Sequence, residues 1–298
     1  KAHPIRPDPD IEFDFQRIAV SYWKPIAIRL GILAGFAGGN PELEITPEDK
    51  MVLQRAWMEL GLLGVQMDLT QSGELLARDV IWRDRFLYWT GPQFKAWAEA
   101  ENRLMNMDER DDFFIEQSED PEVLDLIHRV LDSYAHDDWE GISPELQLSL
   151  DDVVVDVGGG KGALLEEIGD SVSDRILVDL PEVIDMVSFT DVKTVSADIF
   201  SDEIPTGDVY LMSRILHDWD DSKCIKLLNR IPKTARLIII DRIAERGKHG
   251  LLSLNMLLLT GGRERTHSEW LTIFSEAGWS LMAQSTWASH AIMHLEAT

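Results

Sequence analysis

One histidine and two acids occupy positions from which they can meet. His217 lies in the segment Leu211-Met212-Ser213-Arg214-Ile215-Leu216-His217-Asp218-Trp219-Asp220-Asp221, at or just past the end of a strand-like run over 208–213. Asp241 ends the next such run, Leu237-Ile238-Ile239-Ile240, and Glu264 sits in the loop Gly261-Gly262-Arg263-Glu264-Arg265-Thr266. In an open α/β sheet, residues at the carboxyl ends of neighbouring strands face the ligand crevice, so one imidazole and two carboxylates can converge on one mouth. A carboxylate on one ring nitrogen fixes the tautomer and leaves the other nitrogen free to accept a proton. That is the chemistry of a general base for a phenol-like hydroxyl, whose pKa is about 10.

A second constellation concerns a cofactor. Asp156-Val157-Gly158-Gly159-Gly160-Lys161-Gly162 follows the apolar Val153-Val154-Val155 and precedes the helix-like Ala163-Leu164-Leu165-Glu166-Glu167-Ile168. Strand, glycine turn and helix let a backbone approach a nucleotide-like ligand closely, because side chains would block it and a Cβ resists positive φ. The spacing Gly158-x-Gly160-x-x-Ala163 also fits the dinucleotide fingerprint, which alone discriminates poorly. The acids discriminate better. Asp156, two residues before the first glycine, suits the ammonium and sulfonium of S-adenosyl-L-methionine (SAM) and would repel a pyrophosphate. Asp179, ending Arg175-Ile176-Leu177-Val178, can accept hydrogen bonds from ribose hydroxyls, and Asp198, after Thr194-Val195-Ser196-Ala197, can address an adenine edge. Three acids at three successive strand ends favour SAM over NAD.

These residues need a scaffold, and the pattern supplies one. From Asp152 onward strand and helix signals alternate, with strands expected at 153–157, 175–179, 193–197, 208–213 and 236–241. Intervening helices imply a mostly parallel sheet. After Gly278, Trp279–Ser285 and His290–Glu296 read as an antiparallel pair that closes the sheet. The expected fold is α/β and Rossmann-like, with a terminal antiparallel hairpin and a mainly helical N-terminal domain at 1–105, ahead of a cofactor-binding domain at 106–298. In the N-terminal part, Phe15–Leu33 has helical spacing with a kink or break at Pro25. Thr46-Pro47-Glu48-Asp49 starts a helix that runs to Gly61, and Val65–Leu69 forms a short strand. A helix followed by a small β wing is a shortened winged-helix unit, read here as a dimerisation or packing module. Trp82, Phe86, Trp89, Phe94 and Trp97 form an aromatic series assigned to core or subunit interface, and Asp108–Asp112 is a solvated charge run.

Composition narrows the partners. A net charge of −25 over 298 residues argues against phosphate backbones and anionic membranes, so neither nucleic acid nor membrane is expected. One cysteine, Cys224, excludes an internal disulfide framework and fits a cytoplasmic setting. No apolar run reaches bilayer length, and Lys1-Ala2-His3-Pro4 is not a secretory signal, although a first residue other than Met leaves room for an upstream segment. No metal is expected. Asp218, Asp220 and Asp221 read better as the start of a helix, and His290 and His294 lie too far apart on a strand for one ion.

The glycine turn, the Leu216-His217-Asp218-Trp219-Asp220-Asp221 segment and the Gly261–Thr266 loop, in that order, resemble the SAM-dependent O-methyltransferase family. This family, on the class I methyltransferase fold, includes plant caffeic acid, animal acetylserotonin and microbial natural-product methyltransferases. The resemblance covers residues 150–298 well and the first half weakly. It implies His217 as catalytic base, flanked by Asp241 and Glu264. Gly158 and Gly160 lie under the cofactor, Asp179 at its ribose and Asp198 at its adenine, with Asp156, Ile199 and Ser213 completing that site. Asp218, Asn255 and Met256 fall at the acceptor, a small aromatic hydroxyl compound, and a homodimer is implied. Three departures stand out: Ser213 where plant members have a lysine, Ile199 where they often have methionine, and Asp241 where they commonly have glutamate. Other readings are a SAM-binding relative with decarboxylating, hydroxylating or cyclising chemistry, an NAD-dependent oxidoreductase, and a non-catalytic scaffold.

Overall fold

The computed structural model of the chain describes residues 17–106, 113–117, 119–188, 190–246, 248 and 250–298. The charge run expected at 108–112 and the start of the Phe15–Leu33 helix lie outside these residues. The chain divides into two compact units, 1–95 and 96–298. The division falls ahead of the 105/106 boundary expected from sequence.

In the first unit, α1 (Trp23–Leu33), α2 (Pro47–Glu59), α3 (Gln71–Arg78) and α4 (Val80–Thr90) follow one another. Local chemistry sets these starts. The Thr46 hydroxyl accepts from Asp49 N at 3.1 Å, with Pro47 in the first helical position. Thr70 accepts from Gly73 N at 3.2 Å, and the Asp79 carboxylate accepts from Ile81 N and Trp82 N. Between Arg17 and Leu33 the helix breaks at Val20–Tyr22, just before Pro25, whose ring nitrogen has no proton to donate back along the chain. The strand expected at Val65–Leu69 does not form. A tight turn, closed by Gly64 N to Asp68 O at 2.8 Å, leaves one bridge between Leu63 and Leu69. The segment is too short to extend and also fold back on itself. Helix α2 ends at Glu59 rather than Gly61, which takes φ 71° just beyond it. The core centres on Trp57, whose indole donates to Ala27 O at 2.9 Å. Gly31 makes room for it, because a Cβ there would lie 2.0 Å from the ring.

Helix α5 (Pro92–Ala98) crosses the division, and α6 (Ala100–Met105), α7 (Phe113–Gln117) and α8 (Pro121–Trp139) lead into the second unit's sheet. The strands are β1 (Val153–Val157), β2 (Asp174–Asp179), β3 (Lys193–Ser196), β4 (Val209–Ser213), β5 (Arg236–Asp241), β6 (Trp279–Trp287) and β7 (His290–Ala297). All the strands expected from Asp152 onward form, in the order β3-β2-β1-β4-β5-β7-β6. The first five pair in parallel, while β7 runs antiparallel to β5 and β6 to β7. Strands β1, β4 and β5 are almost wholly buried, as parallel strands covered on both faces must be. One face packs on α11 (Asp221–Leu228) and α13 (His267–Glu276) through Leu227, Leu228, Trp270 and Phe274. The other packs on α8 and α9 (Ala163–Glu167) through Trp139, Leu164 and Leu165. Two further helices are α10 (Pro181–Ile184), after β2, and α12 (Gly250–Leu259), before the Gly261–Thr266 loop. Because the chain leaves β1 toward β2 on one side and resumes with β4 on the other, the crevice of this sheet opens at the carboxyl ends of β1 and β4. No described helix is long and apolar enough to cross a membrane.

Candidate active site

His217 is carried on a single 3-10 turn, Leu216–Asp218, directly after β4. The turn is entered through Arg214, which takes φ 56°, an uncommon value outside glycine, and whose N–H donates to Ile240 O at 2.9 Å. The imidazole is buried. Its Nδ1 lies 2.9 Å from Asp241 Oδ1 and 3.6 Å from Glu264 Oε1, and its Nε2 lies 3.7 Å from Asp218 Oδ1. Asp241, fully buried, also accepts from His217 N at 3.3 Å and Arg242 N at 2.9 Å. The Nδ1 contacts are ionic rather than aligned hydrogen bonds, and both Glu264 oxygens lack a hydrogen-bond partner.

Burial alone would lower the His217 pKa. The charges of Asp241 and Asp218, with help from Glu264, outweigh it and hold the imidazole well above its ordinary value. Burial would likewise raise Asp241, but the facing imidazolium wins and holds that carboxyl below the usual range. The two shifts have one cause, the facing charges, and both favour an imidazolium beside a carboxylate. The His217, Asp241 and Glu264 ligand atoms all lie within 4.8 Å of one another, a spacing a cation can also use. Elsewhere, Asp220 caps α11 by accepting from Lys223 N at 2.9 Å, and Asp221 pairs with Arg263 and Arg265. His294 Nε2 meets Glu145 O at 3.0 Å, and His290 packs edge-on against Trp139.

The glycine turn lies at the end of β1. Gly158, Gly160 and Gly162 have φ of 72°, 61° and 89°, which side chains resist. A Cβ on Gly158 would strike Ile215 Cδ1 at 2.5 Å, so the turn packs against the segment leading to His217. A Cβ on Gly159 would strike Asp156 Oδ2 at 2.4 Å, whereas Gly160 faces open space. Asp179 braces the turn by accepting from Gly160 N and Leu180 N, both at 2.8 Å. Asp156 is enclosed beneath the turn and neither carboxyl oxygen has a partner. Burial, with Asp179 nearby, pushes its pKa up to about 7, and burial pushes Asp179 up to about 6. Asp198 turns inward on its own loop, accepting from Phe200 N at 2.9 Å and Ser201 Oγ at 2.8 Å. Ile199 is half-buried against the core, and Ser213 is half-buried at the end of β4. Open space over Gly160, orphaned oxygens under Gly159 and an acid at the β2 end together fit a cofactor with a ribose and a cationic amino-acid end.

Asn255 and Met256 are buried on α12, and Asn255 Oδ1 accepts from Trp97 Nε1 at 2.7 Å. Of the aromatic series, Trp82, Trp89 and Phe94 are exposed and Phe86 packs on the first unit's core. Trp97 therefore belongs with the candidate acceptor residues, which sequence spacing did not separate from its neighbours. Sequence gives no cue to Arg214 either: its guanidinium pairs with Asp138 at 3.1 Å and lies 5.2 Å from the Trp139 ring centre. A non-glycine residue between a strand and a histidine carries no sequence signal of that strain.

The fold and the glycine turn define a cofactor-binding α/β chain with a buried His–Asp–Glu cluster at its crevice. The O-methyltransferase domain model matches residues 114–280, more than half of the chain, which therefore belongs to the O-methyltransferase domain family. The chain is 38% identical to (RS)-norcoclaurine 6-O-methyltransferase of Thalictrum flavum subsp. glaucum, over 42% of this chain and 40% of that protein. It is 28% identical to acetylserotonin O-methyltransferase of Rattus norvegicus, over 78% of this chain and 62% of that protein. The chain thus spans about two fifths of the length of the plant relative. Among solved structures, it shares its fold with an O-methyltransferase from neocarzinostatin biosynthesis, in complex with S-adenosyl-L-homocysteine and 1,4-dihydroxy-2-naphthoic acid. That match has a TM-score of 0.77 at 21% identity and covers 100% of both chains.

Proposed function

We propose that this chain is a SAM-dependent O-methyltransferase acting on a hydroxyl of a small aromatic compound, with His217 as general base. The observation that carries the reading is the packing of Gly158 against Ile215, two residues before His217, which sets the glycine turn beside the His–Asp–Glu cluster. When bound, SAM supplies an electrophilic sulfonium methyl. Gly158 and Gly160 would let the backbone approach it, Asp156 would face its ammonium and Asp179 its ribose. Asp198, Ile199 and Ser213 would complete the adenosine side. In its neutral form His217 takes the hydroxyl proton at Nε2, while Asp241 and Glu264 hold the ring through Nδ1 and stabilise the imidazolium that forms. Asp218, Asn255 and Met256 would orient the acceptor, and the Asn255 carbonyl, already held by Trp97, leaves its amide NH2 to donate. Fixing the two reactants in line can contribute roughly 7–11 kcal/mol. The aromatic acceptor class is supported by the norcoclaurine and 1,4-dihydroxy-2-naphthoic acid named for relatives.

A homodimer is part of the proposal. Trp23 is 61% exposed, and Trp82 and Trp89 are each 45% exposed, on the first unit, apolar side chains that a second copy of the chain would cover. Sedimentation analysis reads this directly. The function is tested by calorimetric titration with SAM, S-adenosylhomocysteine and NAD, then mass spectrometry of phenolic acceptors incubated with SAM. Binding of the first two with methylated product supports the reading, and binding of NAD alone overturns it. His217→Ala should abolish turnover and keep SAM affinity.

A further inference from the structure

Arg265 is 0% exposed, and a buried guanidinium is costly unless every side of it is met. Nη1 donates to Leu216 O at 2.9 Å, Nη2 to Trp219 O at 2.6 Å and Nε to Asp221 Oδ1 at 2.9 Å, while Trp270 covers it with its ring centre 5.2 Å away. Leu216 and Trp219 bracket His217 and Asp218. The Cys224 thiol reaches the same two carbonyls, at 3.1 and 3.7 Å. Three residues before Arg265, Gly262 lies flat on the same turn, since a Cβ there would stand 1.9 Å from His217 O and 2.5 Å from Asp218 C. Between them, Glu264 meets the imidazole.

The turn that receives these contacts holds itself weakly. Its own backbone bonds, Asp218 N to Ile215 O and Trp219 N to Leu216 O, are long at 3.2 and 3.3 Å. Resting on the reading of His217 as base, we infer that Arg265 is a positioning residue that fixes the rotation of the His217 turn and so the direction of Nε2. A planar fork of five donors meets two carbonyls and a carboxylate at once, which a lysine ammonium on a flexible stem does not reproduce.

The test uses the full chain with Arg265→Lys, and with Gly262→Ala as a second variant that displaces the same turn without touching a charge. Each is measured for SAM affinity by calorimetry, for kcat and acceptor KM, and for the His217 ring titration by NMR, assigned with His217→Ala. Asp241, Glu264 and Asp218 face that ring. The expected result is unchanged SAM affinity, a kcat at least tenfold lower with KM within about twofold, and a His217 midpoint moved toward that of an ordinary histidine. Wild-type kcat and an unmoved His217 midpoint in a folded Arg265→Lys protein overturn the inference. Should Arg265→Lys fail to fold, the same two readouts on Gly262→Ala decide it. A moved midpoint in a protein whose wild type methylates nothing would uphold the positioning role and reject the base assignment instead.

Discussion

Replacing Asp156 with asparagine should stabilise the fold increasingly as the pH rises. The carboxyl titrates at an ordinary 3.8 in the unfolded chain and at about 7 beneath the glycine turn, where burial dominates. Between those values the folded chain keeps a proton that the unfolded chain has lost, so stability falls as pH rises through the interval. At about 1.4 kcal/mol per unit, the loss is about 4 kcal/mol in all, of which about 3 kcal/mol falls between pH 5 and pH 8. Asparagine keeps the shape and cannot ionise. Its new amide hydrogens add only a constant offset. Urea unfolding followed by fluorescence, for which the chain's 10 tryptophans provide the signal, should give a variant-minus-wild-type difference that grows by about 3 kcal/mol over that range. Parallel stability curves would refute the reasoning, because they would mean Asp156 is already ionised in the fold. If Asp156 serves SAM, wild-type affinity should also climb through about pH 7, and the variant's should stay flat.

Further expectations follow from the same geometry. Because the His217 pKa is raised, the neutral ring a base requires is reached only at higher pH, so kcat should increase on the alkaline side, and a plateau reached below pH 6.5 would count against His217 as base. The same shift stabilises the fold below the unfolded histidine value of about 6.5, and this stabilisation is lost as pH rises through the folded pKa. Dialysis against a chelator should leave methyl transfer intact, whereas loss with recovery on adding a divalent cation would make His217, Asp241 and Glu264 a metal site. Gly159→Ala should lower the thermal midpoint by the equivalent of about 1–3 kcal/mol, since its Cβ would meet Asp156 Oδ2 at 2.4 Å and Leu177 Cδ1 at 2.6 Å.

What could be read from sequence follows from how each contact is encoded. Apolar runs such as Val153–Val155 and Leu237–Ile240 announce strands because both faces of a parallel sheet are buried, and a strand end then places Asp156, Asp241 and His217 on one crevice. Types and order suffice there to lay out the strands. The short wing at Val65–Leu69 failed the same logic, because extension needs a partner strand and the turn at Gly64–Asp68 provides only one bridge. Trp97 and Asn255 meet across 158 residues, a pairing that no local period records. Arg265 is the sharper case. It stands within the Gly261–Thr266 motif, yet two of its partners are main-chain carbonyls, which every residue possesses and no residue type advertises. A side chain that acts on backbone leaves its own identity in the sequence and none of its target's. The residues hardest to read are therefore those that aim the site, and a glycine such as Gly262, required only because another backbone presses against it, belongs with them.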